Sequence, residues 1–225
     1  GAFIEALIAF LIVILVCLPI HEFGHAWAAV KLGDTLPLYQ GRYTLNPLRH
    51  LDLMGTLLLA LVGFGWAKPV QFNPYGLRVR PKTAMLLVSL AGPLSNFVAA
   101  GLLGIPIKLG WVPYINPFNV IDHDYLAATV TTREDYIGLF LTGAVFLNCI
   151  LGVFNLVPIH PLDGFKVAVG LLPEGMSEEF AKLAKYGPAI LMVMIFLPFV
   201  TGWSPLSQVM VPSVTWLVET FTGGP

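Results

Sequence analysis

Charge is scarce in this chain. Asp, Glu, Lys and Arg make up 11% of its 225 residues, against roughly 25% in a soluble domain. No Asp, Glu, Lys, Arg or His falls in residues 6–20, 83–107, 136–159 or 186–218. Cysteine is scarcer still. Cys17 and Cys149 both lie in apolar runs, which supports neither a disulfide framework nor a cysteine metal site. A basic excess is also missing: the net charge of −1 gives no footprint for a polyanion, so no nucleic-acid partner is expected. Hydrophobic residues, in contrast, reach 56% at a mean hydropathy of +0.79. This composition excludes a soluble enzyme and a disordered chain, and uncharged runs of about 18 residues or more read as membrane spans.

The expected fold is an all-α polytopic membrane protein with about five to six membrane-embedded helical segments. The first helix is placed at residues 3–30. It is read as a retained span and not as a signal peptide, because Glu5 replaces a basic flank and no A-x-A-like site follows. Residues 53–67 are apolar but short for a span, so they are tilted, half-inserted or re-entrant. Full-length spans are expected at 83–107 and 136–157, then a short helix after Asp163 and a last span at 186–203. Pro188, Pro198, Pro205 and Pro212 predict a kinked or broken final region. The whole is read as one integral-membrane domain, 1–225, with a core at 3–172 and a C-terminal helical region at 173–225. If 53–67 does not cross, Lys31, Arg42, Arg49, Lys68, Arg78, Arg80, Lys82, Lys166, Lys182 and Lys185 share one side and only Lys108 and Arg133 lie opposite. The positive-inside rule then puts the N-terminus outside and the basic loops in the cytoplasm.

The sharpest local signal is His21-Glu22-Phe23-Gly24-His25. On a helix, His21 and His25 lie about 40° apart on one face, where two imidazoles can share a zinc. The glutamate between them can reach a water there as general base. With five histidines in the chain, the pattern arises by chance in roughly 0.3% of such compositions. A polar cluster capping a membrane helix is the plainer reading, but three ionisable groups on an apolar helix are costly and usually functional. A catalytic zinc wants a third protein ligand, and Asp163 is the only acidic residue between Asp135 and Glu174. The alternative for Asp163 is an ordinary Asp-Gly turn.

Three motifs together resemble the site-2 protease family, whose members are intramembrane zinc metalloproteases. They are HEFGH, the segment Ala91-Gly92-Pro93-Leu94-Ser95-Asn96, and Asn155-x-x-Pro158-x-x-x-x-Asp163-Gly164. The stretch from Gly41 to Gly55 resembles the family's compact prokaryotic branch, and the loop 108–135 is too short for the PDZ domain that many members carry. The resemblance implies that His21, His25 and Asp163 bind one Zn2+ per chain, that Glu22 is the catalytic base, and that Asn155 faces the substrate or stabilises the oxyanion. It also implies a lipid-embedded enzyme of the prokaryotic cell membrane, with a transmembrane protein as substrate and the active site toward the cytoplasm. His160, three residues before Asp163, is a competing ligand or a residue supporting the site.

Other polar residues point less sharply. Asn96 is read equally as packing glue or as support for the site, and Asn148 as packing. His50 and Asp52 are expected in a solvated loop, and Ala99, Ala100, Gly101 and Gly104 in a close helix contact. His123 has no evident partner. Segments 39–45 and 68–72 are expected as short strands beside the site, one edge of which could hold an unwound substrate. Two other classes fit the same ionisable residues: an ion-coupled transporter, or a non-cleaving binder of membrane helices.

Overall fold

The computed structural model describes residues 2–62, 66–117, 119 and 123–224, and no strand forms among them. The elements used below are α1 (Ala2–Leu32), α2 (Leu36–Tyr39), α3 (Leu53–Val62), α4 (Pro81–Lys108), α5 (His123–Thr129), α6 (Arg133–Asn155), α7 (Asp163–Leu171), α8 (Glu174–Ala181), α9 (Gly187–Thr201) and α10 (Pro205–Thr222). Four helical runs are long and apolar enough to cross a membrane: Val13–Leu32, Pro81–Lys108, Arg133–Asn155 and Glu174–Thr201. The chain is a polytopic, all-helical membrane protein.

Helices α1, α4 and α6 pack against one another, and α7 packs on α4. In lipid there is little hydrophobic drive between helices, so close association needs small side chains. The contacts are built that way. Ala28 and Ala29 of α1 meet Val88 of α4, Cys17 meets Ala144 of α6, and Ala100, Val145 and Cys149 close on Val214 and Val218 of α10. The small residues at 100, 101 and 104 do serve a close contact, with Gly101 and Gly104 against Phe221.

Helix α10 departs from the expected final region. Of the four prolines read as breakers, Pro188 and Pro205 stand in the first turns of α9 and α10. A missing N–H costs nothing there. The break itself falls at Gly202, whose positive φ of 71° ends α9. The 18-residue α10 then packs on α4 and α6.

The two flanks of the short apolar segment lie together, and residues 63–65 within it fall outside the described residues. Leu51 and Ala67 form an antiparallel bridge, and the Lys68 N–H donates to the His50 carbonyl at 2.7 Å. The two ends of the segment are therefore neighbours on one side. Gly55 lies directly against the Trp66 backbone, where any Cβ would collide. The loops 34–51 and 67–73 thus meet beside the C-terminal end of α1.

That end is tied together by buried polar groups. Asp34 accepts from Leu36 N at 2.9 Å and from Asn73 N at 2.8 Å. The buried Arg42 guanidinium donates to the carbonyls of Arg49 and Lys68. His50 is fully buried, not solvated as expected, with its Nε2 2.6 Å from the Thr44 carbonyl. Asp52 caps α3 through Gly55 N. These local bonds explain why the strands expected at 39–45 and 68–72 are absent. The Arg42 and Thr44 N–H groups bond back to Pro37 and Arg42, and Val70 N bonds to a side chain, so no ladder can form. The side chain of His123 lies outside the described residues.

The bond from Lys68 to His50 makes Leu51 and Ala67 a non-hydrogen-bonded pair, with Cα atoms about 4.5 Å apart. A Leu51→Cys/Ala67→Cys variant should therefore form a disulfide in intact membranes on mild oxidation, read as a mobility shift reversed by reductant. Cys17 and Cys149 are buried and can stay in place. A segment that crossed the bilayer would keep the two cysteines a membrane's width apart, and no cross-link would form.

Candidate active site

Three elements meet at the site. Helix α1 brings His21 and His25 onto one face, four residues apart. Asp163 comes from the first turn of α7, delivered by the bend that follows α6. Helix α4 closes the third side, and here Gly92 is decisive. A Cβ on Gly92 would occupy the space of the His25 ring and lie 2.9 Å from His21 Cε1. Only hydrogen at this position lets the two imidazoles lie against the α4 backbone. One turn away, Gly24 lies equally close to Ala91 and Ser95, and Ser95 Oγ donates to Ile20 O at 3.0 Å.

The ligand atoms of His21, His25 and Asp163 lie within 4.8 Å of one another. Asp163 Oδ2 is 3.1 Å from His21 Nε2 and 2.9 Å from His25 Nε2, and the two Nε2 atoms are 3.1 Å apart. The opposite ring atoms assign the tautomers. His25 Nδ1 is 2.7 Å from the Val88 carbonyl, which can only accept, so Nδ1 carries the proton. His21 Nδ1 is 2.7 Å from Asn96 Oδ1, with the same result. In the neutral tautomers both Nε2 atoms are bare lone pairs facing a carboxylate oxygen, an arrangement of mutual repulsion unless a cation sits between them. Tetrahedral zinc at about 2.0–2.1 Å from its ligands separates them by about 3.3 Å, close to the spacings here. A His2Asp donor set with a fourth direction open is chemistry suited to catalytic zinc, so the residues fit the metal.

All four ionisable groups are buried: His21 4%, Glu22 8%, His25 8% and Asp163 7% exposed. Asp163 presents a single oxygen, Oδ2, to both imidazoles. Its second oxygen, Oδ1, is 3.5 Å from Lys166 Nζ, one turn along α7. That leaves Oδ2 facing the imidazoles. Glu22 stands apart from this group, with Oε2 accepting from the Val70 N–H at 3.0 Å. The extended segment beyond Ala67 thus reaches the helix that carries the histidines.

The remaining candidates fall in different places. Asn155, in the last turn of α6, donates from Nδ2 to Leu151 O at 2.9 Å. This bond stays within its own helix and does not reach the His–Asp cluster. His160 turns away from that cluster. Its ring packs edge-on against Phe165 at 5.7 Å, and its buried Nδ1 has no hydrogen-bond partner among the described residues. Sequence reasoning missed Lys166 and Val70. Lys166 carried a usable signal, a cation one helical turn from Asp163. Val70 carried none, because its contribution is a backbone N–H. For Asn96, support of the site prevails, since its oxygen touches His21.

This geometry meets its match in known proteins. The model of peptidase family M50 matches residues 9–197, a stretch that includes all three motifs. The chain belongs to peptidase family M50, the site-2 proteases. Among M50 relatives, "Putative zinc metalloprotease YwhC" of Bacillus subtilis is 34% identical over 83% of this chain and 80% of its own length. Proteins of the same description called Rip2 are 30% identical in Mycolicibacterium smegmatis and 32% identical in Mycobacterium tuberculosis, over 84% of this chain and 67% of theirs. No solved structure matches the chain. This M50 member is a zinc-dependent protease.

The closeness of α4 to the imidazoles has a direct consequence. Gly92→Ala should push the His25 ring aside and weaken zinc binding by about tenfold or more, the scale on which ligand-orienting contacts act. Metal analysis of the purified protein after dialysis against a weak chelator reads this out. Full occupancy in Gly92→Ala would show that α4 does not set the ring positions.

Proposed function

We propose that this chain is an intramembrane protease that hydrolyses a peptide bond in or near a transmembrane segment of a membrane-protein substrate. In this reading His21, His25 and Asp163 hold the zinc and Glu22 is the general base. One observation carries it: three ligand atoms from α1 and α7 converge inside a membrane-embedded bundle, with a carboxylate that is not part of the cluster on the same helix turn. His25 lies seven residues before the end of α1, roughly 10 Å in from the helix terminus. A metal centre at that depth suits a bond that lies within the membrane.

When bound, zinc supplies a Lewis acid that polarises the scissile carbonyl and acidifies a water. The protein's own part is positional and protonic. Val70 N–H fixes Glu22 Oε2, so Oε1 is the oxygen left to take a proton from the attacking water and pass it to the leaving amine. Val88 and Asn96 hold the imidazoles in the tautomer that turns Nε2 inward. Lys166 holds Asp163 from the other side. The Asn155 amide has a second hydrogen besides the one given to Leu151 O, and that hydrogen can stabilise an oxyanion as charge develops. A helical substrate hides its amides in its own hydrogen bonds, so it must unwind locally before it reaches Glu22.

We also propose that the N-terminus is outside, that the site opens toward the cytoplasm, and that the membrane is a prokaryotic cell membrane. The Lys and Arg content of the loops 31–52 and 68–82 supports the orientation, and the bacterial relatives support the setting.

Two experiments test this reading. Glu22→Gln keeps size but cannot accept a proton, so it should fold, retain zinc and fail to cleave a single-span substrate, whereas His21→Ala, His25→Ala and Asp163→Ala should lose zinc together with activity. Cleavage by Glu22→Gln at the wild-type rate would end the mechanism. For orientation, cysteines at the exposed Arg78 and Lys182 should resist an impermeant thiol reagent applied to intact cells, and one at the exposed Thr131 should react. The reverse pattern would invert the topology.

A further inference from the structure

Two buried asparagines occupy the heart of the bundle. Asn96 of α4 and Asn148 of α6 are each 0% exposed, at positions where an unpaired amide is costly. Every hydrogen of both amides has a partner. Asn148 Nδ2 donates to Ala144 O at 2.8 Å and to Cys17 Sγ at 3.0 Å. Asn96 Nδ2 donates to Cys17 O at 3.2 Å and to Asn148 Oδ1 at 2.9 Å. Ala144 O and Cys17 O can only accept, so neither amide can be turned over without setting an NH2 against a carbonyl partner's place or an oxygen against an oxygen. The one atom left is Asn96 Oδ1, and it faces His21 Nδ1 at 2.7 Å.

We propose that Asn148 and Asn96 form a positioning relay that sets the tautomer of His21 and thereby its strength as a zinc ligand. Asn148 Oδ1 holds the Asn96 amide with its oxygen toward His21. That oxygen requires a proton on Nδ1 and so leaves Nε2 bare. Without the Asn148 oxygen, only the Cys17 carbonyl at 3.2 Å holds the Asn96 amide in this sense, and the amide turns over more readily. Its NH2 would then favour a bare Nδ1 and place a hydrogen on Nε2, where the metal must bind. The relay crosses three helices, so the ligand set responds to how α6 seats against α1 and α4. The inference rests on the reading of His21 as a zinc ligand.

The test separates the relay from simple packing. Asn148→Leu removes the acceptor, whereas Asn148→Asp, protonated at this depth of burial, keeps an oxygen for Asn96 Nδ2 and an O–H for Ala144 O at nearly the same size. Zinc affinity is measured by competition with a chromophoric chelator on the full chain in detergent, with His21→Ala alongside. The relay predicts about tenfold or greater weakening in Asn148→Leu and a change within about threefold in Asn148→Asp. Equal losses in the two variants, or no loss in Asn148→Leu, would overturn it while His21→Ala still loses zinc. Zinc retained by His21→Ala would remove the ligand reading, and the relay with it. A further measurement needs no variant: 15N NMR of histidine-labelled, zinc-loaded wild type should show His21 protonated at Nδ1. A proton on Nε2 would overturn the proposal.

Discussion

Three ionisable side chains, buried side by side among apolar helices, set the terms for the rest of this structure. An isolated charge in such surroundings costs several kcal/mol even after relaxation, so His21, His25 and Asp163 must be held together and oriented from outside. Each has its own anchor: the Asn96 oxygen, the Val88 carbonyl and the Lys166 ammonium. These anchors come from α4 and α7. The packing of α1 against α4 is therefore not separable from the chemistry of the histidines, and the Gly92 position, where nothing larger than hydrogen fits, joins the two.

The loops beside the C-terminal end of α1 follow from the same arrangement. Because residues 51 and 67 pair, the chain returns to the neighbourhood of Glu22. The loops there carry buried polar groups that a membrane would not tolerate unpaired. Asp34, Arg42 and His50 satisfy backbone atoms across the gap between residues 34–51 and 67–73. In doing so they hold the segment whose Val70 N–H reaches Glu22. These loops, remote in sequence from the HEFGH motif, touch it through Glu22.

What the sequence by itself determined was the class of fold and the chemistry of the ligands. Long uncharged runs located the helical spans, because no other backbone arrangement satisfies its hydrogen bonds in lipid over such lengths. Four-residue spacing put His21 and His25 on one face, because a helix turns about 100° per residue. Both signals are local, and both lie in residue type and interval. Tertiary structure alone decided the rest. The pairing of Leu51 with Ala67 brought the two flanks of a short apolar segment together, which hydropathy does not record. Prolines read as breakers proved to start α9 and α10, because proline's effect depends on whether its missing N–H would have had a partner. The strands expected at 39–45 and 68–72 failed because backbone bonds within the first loop, and the Glu22 side chain in the second, claimed their N–H groups. Asn96 could have packed anywhere on α4. Only the approach of α1 placed its oxygen on His21, since hydrogen bonds act over about 3 Å and nothing in a linear sequence records that distance.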